Sequence, residues 1–199
     1  PDTLLSETGV ASSASALRSG NLRSRRYGRA LHRGLELLAL QDLLPSECPV
    51  SISRAMKFQL TELSSPSANI AEELDSLIID VNRVLGDEMG RWVLSAHHHD
   101  AQSELSLFVA ETQKQLVVDR TFIDAQTGIR WIIDYKTSRP ADDALLTDFF
   151  NEEAARYQDQ LLRYQSAMQR YDQCHHPDVV DTRVAIYFSA LAKLHEVTV

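Results

Sequence analysis

Apolar positions change their spacing three times along this chain. They first recur at helical intervals, then at every second position, and then again as a long helix followed by two short alternating runs. From about Tyr27, Leu31, Leu35, Leu38 and Ala39 mark one buried helical face, which Pro45 and Pro49 end. Residues 53–63 predict a short helix, stopped by the Ser64-Ser65-Pro66-Ser67 turn. Asn69 is placed to cap a longer helix through Leu85, with Ile70, Leu74, Leu77, Ile78, Val81 and Leu85 as its stripe, and Gly86 and Gly90 break it.

Beyond a loop at His97-His98-His99-Asp100, the period becomes two. Residues 104–110 and 115–124 read as strands. Gln126-Thr127-Gly128 signals a turn, and residues 130–137 read as a third strand, so the short connections predict an antiparallel meander. A long helix over about 148–172 follows, with Leu161, Tyr164, Met168 and Tyr171 on one face. Two strands, 182–189 and 193–199, complete the order. The pattern predicts one α/β domain, a central mixed sheet flanked by helices. Residues 1–26, Ser-, Gly- and Ala-rich at the start, read as a loose N-terminal arm, and 27–199 as the folded domain.

Composition narrows the class. With 199 residues, 44% apolar and 24% charged, the chain fits one globular domain and excludes disordered or collagen-like classes. Its apolar runs are too short for a membrane span and no signal peptide is visible. Cys48 and Cys174, far apart, fit a reduced cytoplasmic protein. Cys174-His175-His176 lacks the second ligand pair of a zinc site and reads as a helix-end loop. The chain starts at Pro1 rather than Met, which predicts a piece of a longer protein.

The net charge of −8 argues against a generic nucleic-acid binder, yet Arg18, Arg23, Arg25, Arg26, Arg29 and Arg33 gather in residues 18–33 with no acid among them. That run is either a solvated helix start or a phosphate contact beside acids that hold metal rather than DNA.

The third strand carries the candidate chemistry. Trp131-Ile132-Ile133-Asp134-Tyr135-Lys136-Thr137 is apolar enough to be central, yet period two puts Ile132, Asp134 and Lys136 on one face. Buried charges of this kind must pair or bind metal. The preceding strand repeats the pattern in Val117-Val118-Asp119-Arg120, and Glu104 is a third candidate acid. Clustered carboxylates hold Mg²⁺, which lowers the pKa of a bound water and draws a phosphate oxygen, while a Lys offsets charge on the phosphate; this is phosphodiester chemistry. Taken alone, His32 reads as a core-edge histidine, Tyr157 and Tyr164 as core packing, His97-His98-His99 as an exposed loop, and Arg120 equally as a phosphate contact or an acid's partner.

Asp119 followed fifteen residues later by Asp134-x-Lys136 resembles the PD-(D/E)XK nucleases. More narrowly, the chain resembles the RecB/AddA-type nuclease domain at the C-terminal end of bacterial UvrD/RecB-like helicase–nucleases. Gly28-Arg29-Ala30-Leu31-His32-Arg33-Gly34-Leu35-Glu36 resembles that group's G-x-x-x-H-x-x-L-E helix. Glu104-Leu105-Ser106-Leu107-Phe108 resembles its acid-bearing first strand, Val118-Asp119-Arg120 its I-D-R strand, Ile133-Asp134-Tyr135-Lys136-Thr137 its I-D-Y-K-T signature, and Tyr157-x-x-Gln160-Leu161-x-x-Tyr164 its Q-x-x-x-Y helix. Residues 50–95 stand apart as a helical insertion, Val118 replaces a possible Pro before the first Asp, and the cysteines of iron–sulfur relatives are absent.

The resemblance implies a restriction-endonuclease-like core and a Mg²⁺- or Mn²⁺-dependent deoxyribonuclease, an exonuclease of DNA repair and recombination. It implies His32, Asp119, Asp134 and the Tyr135 carbonyl as metal ligands. Lys136 would activate water, Glu104 would support or hold a second metal, and Gln160, Tyr164 and Tyr157 would place the DNA or the catalytic groups, with Arg120 beside them. The implied partners are a DNA single strand, N-terminal helicase domains of the same full-length chain, and a possible further subunit in the bacterial cytoplasm, with no membrane. The alternative is a catalytically silent nuclease-like domain that binds DNA or braces a helicase.

Overall fold

The leucine stripe of the first helix is buried as its spacing requires. In the computed structural model, which describes residues 8–62, 69–109 and 113–199, Leu31, Leu35 and Leu38 of α1 (Thr8–Ala39) pack with Ile52, Met56 and Leu60 of α2 (Val50–Glu62) and with Leu77, Val81 and Leu85 of α3 (Ile70–Gly86). Asn69 caps α3 as expected, its side chain accepting the Glu72 amide. Asp87 then caps α4 (Glu88–Leu94) by accepting the Gly90 amide at 2.8 Å. The stretch that stood apart as an insertion therefore completes the helical layer on one face of the sheet.

One expectation at this end changes. The helix begins at Thr8 rather than near Tyr27, so residues 8–26 are helical. Arg26 near the middle of α1 is buried and donates to the Glu73 carboxylate of α3 through Nε at 3.1 Å and through Nη2, tying the helix to the layer ahead of Tyr27. Residues 1–7, the 64–67 turn and the strand end at Ala110 lie outside the described residues.

The strands are β1 (His99–Val109), β2 (Lys114–Ile123), β3 (Arg130–Lys136), β4 (Thr182–Phe188) and β5 (Lys193–Val197), paired in that order. All neighbours are antiparallel except β3 and β4, whose parallel pairing aligns Asp134 with Ile186. A parallel pair needs a long crossover, and α5 (Leu146–His175) supplies it. The helical layer α1–α4 covers one face over Phe122, Trp131, Ile133, Tyr135 and Tyr187. On the other face, α5 brings Leu161, Tyr164, Ala167 and Met168 against Val118, Ile132, Val184 and Ile186. The β2–β3 turn closes at Gly128, whose φ of 70° suits a residue without Cβ, and its amide bonds to the Asp124 carbonyl.

The histidine triplet is not an exposed loop throughout. β1 already starts at His99, and His98 is a packed residue: its ring stacks on Phe122 with centroids 4.1 Å apart, meets Trp92 edge-on, and places Nε2 2.8 Å from the Trp92 carbonyl. Only His97 and His99 are exposed. At the far end, α5 runs on through Cys174 and His175, and His176 reaches Asp100 at 3.1 Å.

Candidate active site

Three neighbouring strands each bring one acid to the same level of the sheet. In β1–β2, the pairs Ser103↔Arg120 and Leu105↔Val118 bracket Glu104 and Asp119, which therefore stand opposite one another. The β2–β3 ladder stops at Arg120↔Ile133, one step short of Asp119 and Asp134. The sheet is distorted here. Glu104 has a φ of 52°, a left-handed conformation that costs a non-glycine residue roughly 1–2 kcal/mol. The facing of both strands reverses across the two acids. Ala101 and Phe122 pack toward the α1–α4 layer, while Leu105, Leu107 and Val118 pack toward α5. Where β2 and β3 part, Asp119 Oδ2 accepts the Tyr135 amide at 2.8 Å, a side chain standing in for the missing ladder bond.

α1 hangs His32 over this row. Its Nδ1 lies 3.5 Å from Asp119 Oδ1 and 3.8 Å from Glu104 Oε1, and its Nε2 lies 3.3 Å from the Tyr135 carbonyl. One ligand atom from each of His32, Glu104 and Asp119 can be chosen so that all lie within 4.8 Å of one another. Burial holds His32 below the ordinary histidine range, against the upward pull of Glu104 and Asp134. Burial thus favours the neutral ring. With its Nε2 proton assigned toward the Tyr135 carbonyl, the Nδ1 lone pair faces two carboxylates.

The carboxylates themselves are under stress. Burial first, and the Asp134 charge second, push Asp119 up to about 7. Burial and Asp119 raise Glu104 as well. Asp134 is 1% exposed and engaged from the α5 side: Gln160 Nε2 donates to its Oδ1 at 2.9 Å and also to the Tyr164 hydroxyl at 2.8 Å. Its Oδ2 meets Lys136 Nζ at 2.5 Å but receives no aligned hydrogen bond. Burial alone would lower the Lys136 ammonium; Asp134, with Asp119 and Tyr157, outweighs it and holds the group above its usual value. The Lys136 cation also rests 4.1 Å above the centre of the Tyr157 ring. Converging lone pairs, repelling carboxylates and a buried carboxylate oxygen without an aligned donor fit a divalent cation with O and N ligands.

The structure thus brings His32, Glu104, Asp119 and the Tyr135 backbone together, with Asp134, Lys136, Gln160, Tyr164 and Tyr157 alongside. Glu104 lies inside the cluster. Arg120, expected at a phosphate or an acid, is 2% exposed and instead donates to the Val93 carbonyl at 3.1 Å and the Ser95 carbonyl at 2.9 Å, satisfying the C-terminal end of α4. In the basic run, Arg26 is likewise structural, whereas Arg25 and Arg29 are exposed. One hub has no counterpart in the sequence motifs. Asp80, buried on α3, accepts from Tyr27 at 2.9 Å, from Arg83 at 3.1 Å and from Arg139 at 2.7 Å, joining α1 to the loop just after Lys136. A lone Asp in an amphipathic helix gives no signal of such a role.

A mixed sheet with an acid on each of three adjacent strands, a lysine two residues after the third, and an imidazole above them defines a metal-dependent nuclease core. The PD-(D/E)XK nuclease superfamily profile matches residues 10–197, and the chain belongs to that superfamily, whose members use divalent metals. No curated protein matches the chain.

Proposed function

We propose that this domain is a Mg²⁺- or Mn²⁺-dependent deoxyribonuclease, an exonuclease of the RecB/AddA type that receives a DNA single strand from helicase domains of a longer bacterial chain acting in double-strand-break repair. The observation that carries the nuclease reading is the convergence of His32, Glu104 and Asp119 beside the Asp134–Lys136 pair. The narrower assignment is supported by the motif order around His32 and Gln160.

When bound, the metal supplies a water of lowered pKa and a charge that draws the scissile phosphate. His32, Asp119, Asp134 and the Tyr135 carbonyl would hold it, with Glu104 completing the set. Tyr135 clamps the geometry through its amide on Asp119. Lys136, kept cationic by Asp134 and supported by Tyr157, donates to the phosphate and orients the attacking water. Gln160 and Tyr164 fix Asp134. The water oxygen bonds to phosphorus as the bond to the 3′ oxygen breaks, giving 5′-phosphate and 3′-hydroxyl ends. Labelled single-stranded DNA incubated with the protein and Mg²⁺ should be degraded to such products, and EDTA should stop it. Intact DNA under both conditions would refute catalysis and leave a silent DNA-binding domain.

A further inference from the structure

The facing reversal at Glu104 has a consequence for the outer half of the β1–β2 hairpin. Beyond it, Leu105, Leu107 and Leu116 turn toward α5. Ser106, Phe108, Gln115 and Val117 are left on the opposite face, the one over which α1 carries His32. Phe108 is 71% exposed and Val117 40% exposed. Ser106 pairs with Val117 and Phe108 with Gln115, and Gln115 Nε2 donates to the Ser106 hydroxyl, so the four side chains form one ordered ledge. A large aromatic 71% exposed on a face that continues the acid row calls for an occupant.

The ledge is continuous with the acid row. Phe108 lies four residues along β1 from Glu104, about 14 Å at 3.4 Å per residue. Cations stand near the same acid row: Arg25 and Arg29 are exposed on α1 within two turns of His32, whose ring faces Glu104. An aromatic face and a cationic stripe that both lead to one acid row are the combination that holds a single-stranded nucleic acid, since every base has a π-face and every nucleotide a phosphate. We propose that Phe108 stacks on a base of the substrate strand, a few nucleotides from the phosphate at the metal cluster, with Val117 as the floor beside it. The ledge would thereby select single strands, whose bases are free to stack, over duplex. This rests on the nuclease reading above.

The test uses the whole chain with Ca²⁺ and a fluorescent oligothymidylate for binding, and with Mg²⁺ for cleavage. Phe108→Ala and Phe108→Leu should each weaken binding roughly tenfold, within the range for a lost base–aromatic stack, while Phe108→Tyr keeps the affinity. The loss should appear in KM rather than kcat. Removing single bases along the oligonucleotide should weaken wild-type binding at one position and leave Phe108→Ala indifferent there. Equal affinity of Phe108→Leu and wild type, or no sensitive abasic position, overturns the stacking role. A shift of the wild type to a larger species that Phe108→Ala abolishes would overturn it too, by making the ledge a contact between copies. Failure of the wild type to cleave at all would instead overturn the nuclease reading.

Discussion

The Tyr135 amide donates to Asp119 Oδ2 at 2.8 Å while the carbonyl of the same residue lies 3.3 Å from His32 Nε2. One peptide segment of β3 therefore sets the distance between an acid of β2 and an imidazole of α1. The Tyr135 ring is locked in the core by edge-on contacts with His32 and Tyr187, so the clamp is backbone geometry held by packing. An isosteric change at Asp119 can keep it while removing the charge.

Asp119→Asn makes the charge measurable. In EDTA, the folded protein holds the Asp119 proton up to about pH 7, whereas the unfolded chain releases it near 4. The folded state then binds the extra proton between those limits, and the contribution of Asp119 to stability falls as pH rises through that window. Urea unfolding in EDTA should show wild type losing stability relative to Asp119→Asn from about pH 4 to 7, then levelling. Adding Mn²⁺ at neutral pH should restore the wild type and help the variant less. A difference that is flat with pH would contradict the assignment.

Asp134→Asn should abolish cleavage and spare the fold. The Asn side chain keeps an acceptor for Gln160 and relieves the repulsion with Asp119. The rate should drop more than a hundredfold, about 3 kcal/mol of transition-state stabilisation. Single-turnover cleavage together with a melting curve checks both halves. Asp134→Ala is the poorer probe, because it also removes the acceptor that Gln160 bonds and leaves a void at a position only 1% exposed.

Much of the architecture is legible because it is local. The Leu31–Leu35–Leu38 stripe, the Asn69 cap, the Gly128 turn and the β1–β2–β3 meander follow from spacing and turn chemistry. The acids on β1 to β3 are legible too, since a charge inside an apolar strand is conspicuous. The reversal of facing at Glu104 and Asp119 is not, because strict alternation assumes a regular pleat, and the left-handed residue that breaks it is a Glu. Charge patterning also misleads where burial decides: Arg26 looks like the exposed Arg25 and Arg29, and Arg120 like a phosphate contact, but their partners lie on or at the end of helices 47 and 25–27 residues away. His98 likewise reads as loop until the aromatic pocket of Trp92 and Phe122 is assembled.

The basic helix should divide into two roles. Replacing Arg25 and Arg29 together should flatten the salt dependence of single-strand binding by about 1.4 units of log–log slope, about 0.7 per phosphate contact, with an unchanged melting temperature. Arg26→Ala should instead destabilise, since it leaves Glu73, 3% exposed, without its buried partner. Fluorescence titrations over several salt concentrations, with Ca²⁺ to limit cutting, separate the two. An unchanged slope for the Arg25/Arg29 pair would leave those residues as plain solvated surface.

Gly90→Ala tests the helical layer. A Cβ there would press on the Val84 carbonyl and lie 2.5 Å from the Tyr187 hydroxyl, which itself donates to Asp87 at 3.0 Å. Overpacking of this kind costs roughly 1–3 kcal/mol, and helix propensity would favour Ala by about 1 kcal/mol. A net loss of stability in urea is expected. A gain would mean that α4 is not held this close to α3 and β4.

The central claim is that His32, Glu104 and Asp119 form a divalent-metal centre. Calorimetric titration of Mn²⁺ into the metal-free protein, beside His32→Ala and Asp119→Asn variants with confirmed folds, measures it directly. Wild type should bind Mn²⁺ with displacement of a proton near pH 7, and each variant should bind at least about tenfold more weakly, the loss of about 1.4 kcal/mol of binding free energy. Equal affinities in all three proteins would contradict the account and place the metal, if any, elsewhere.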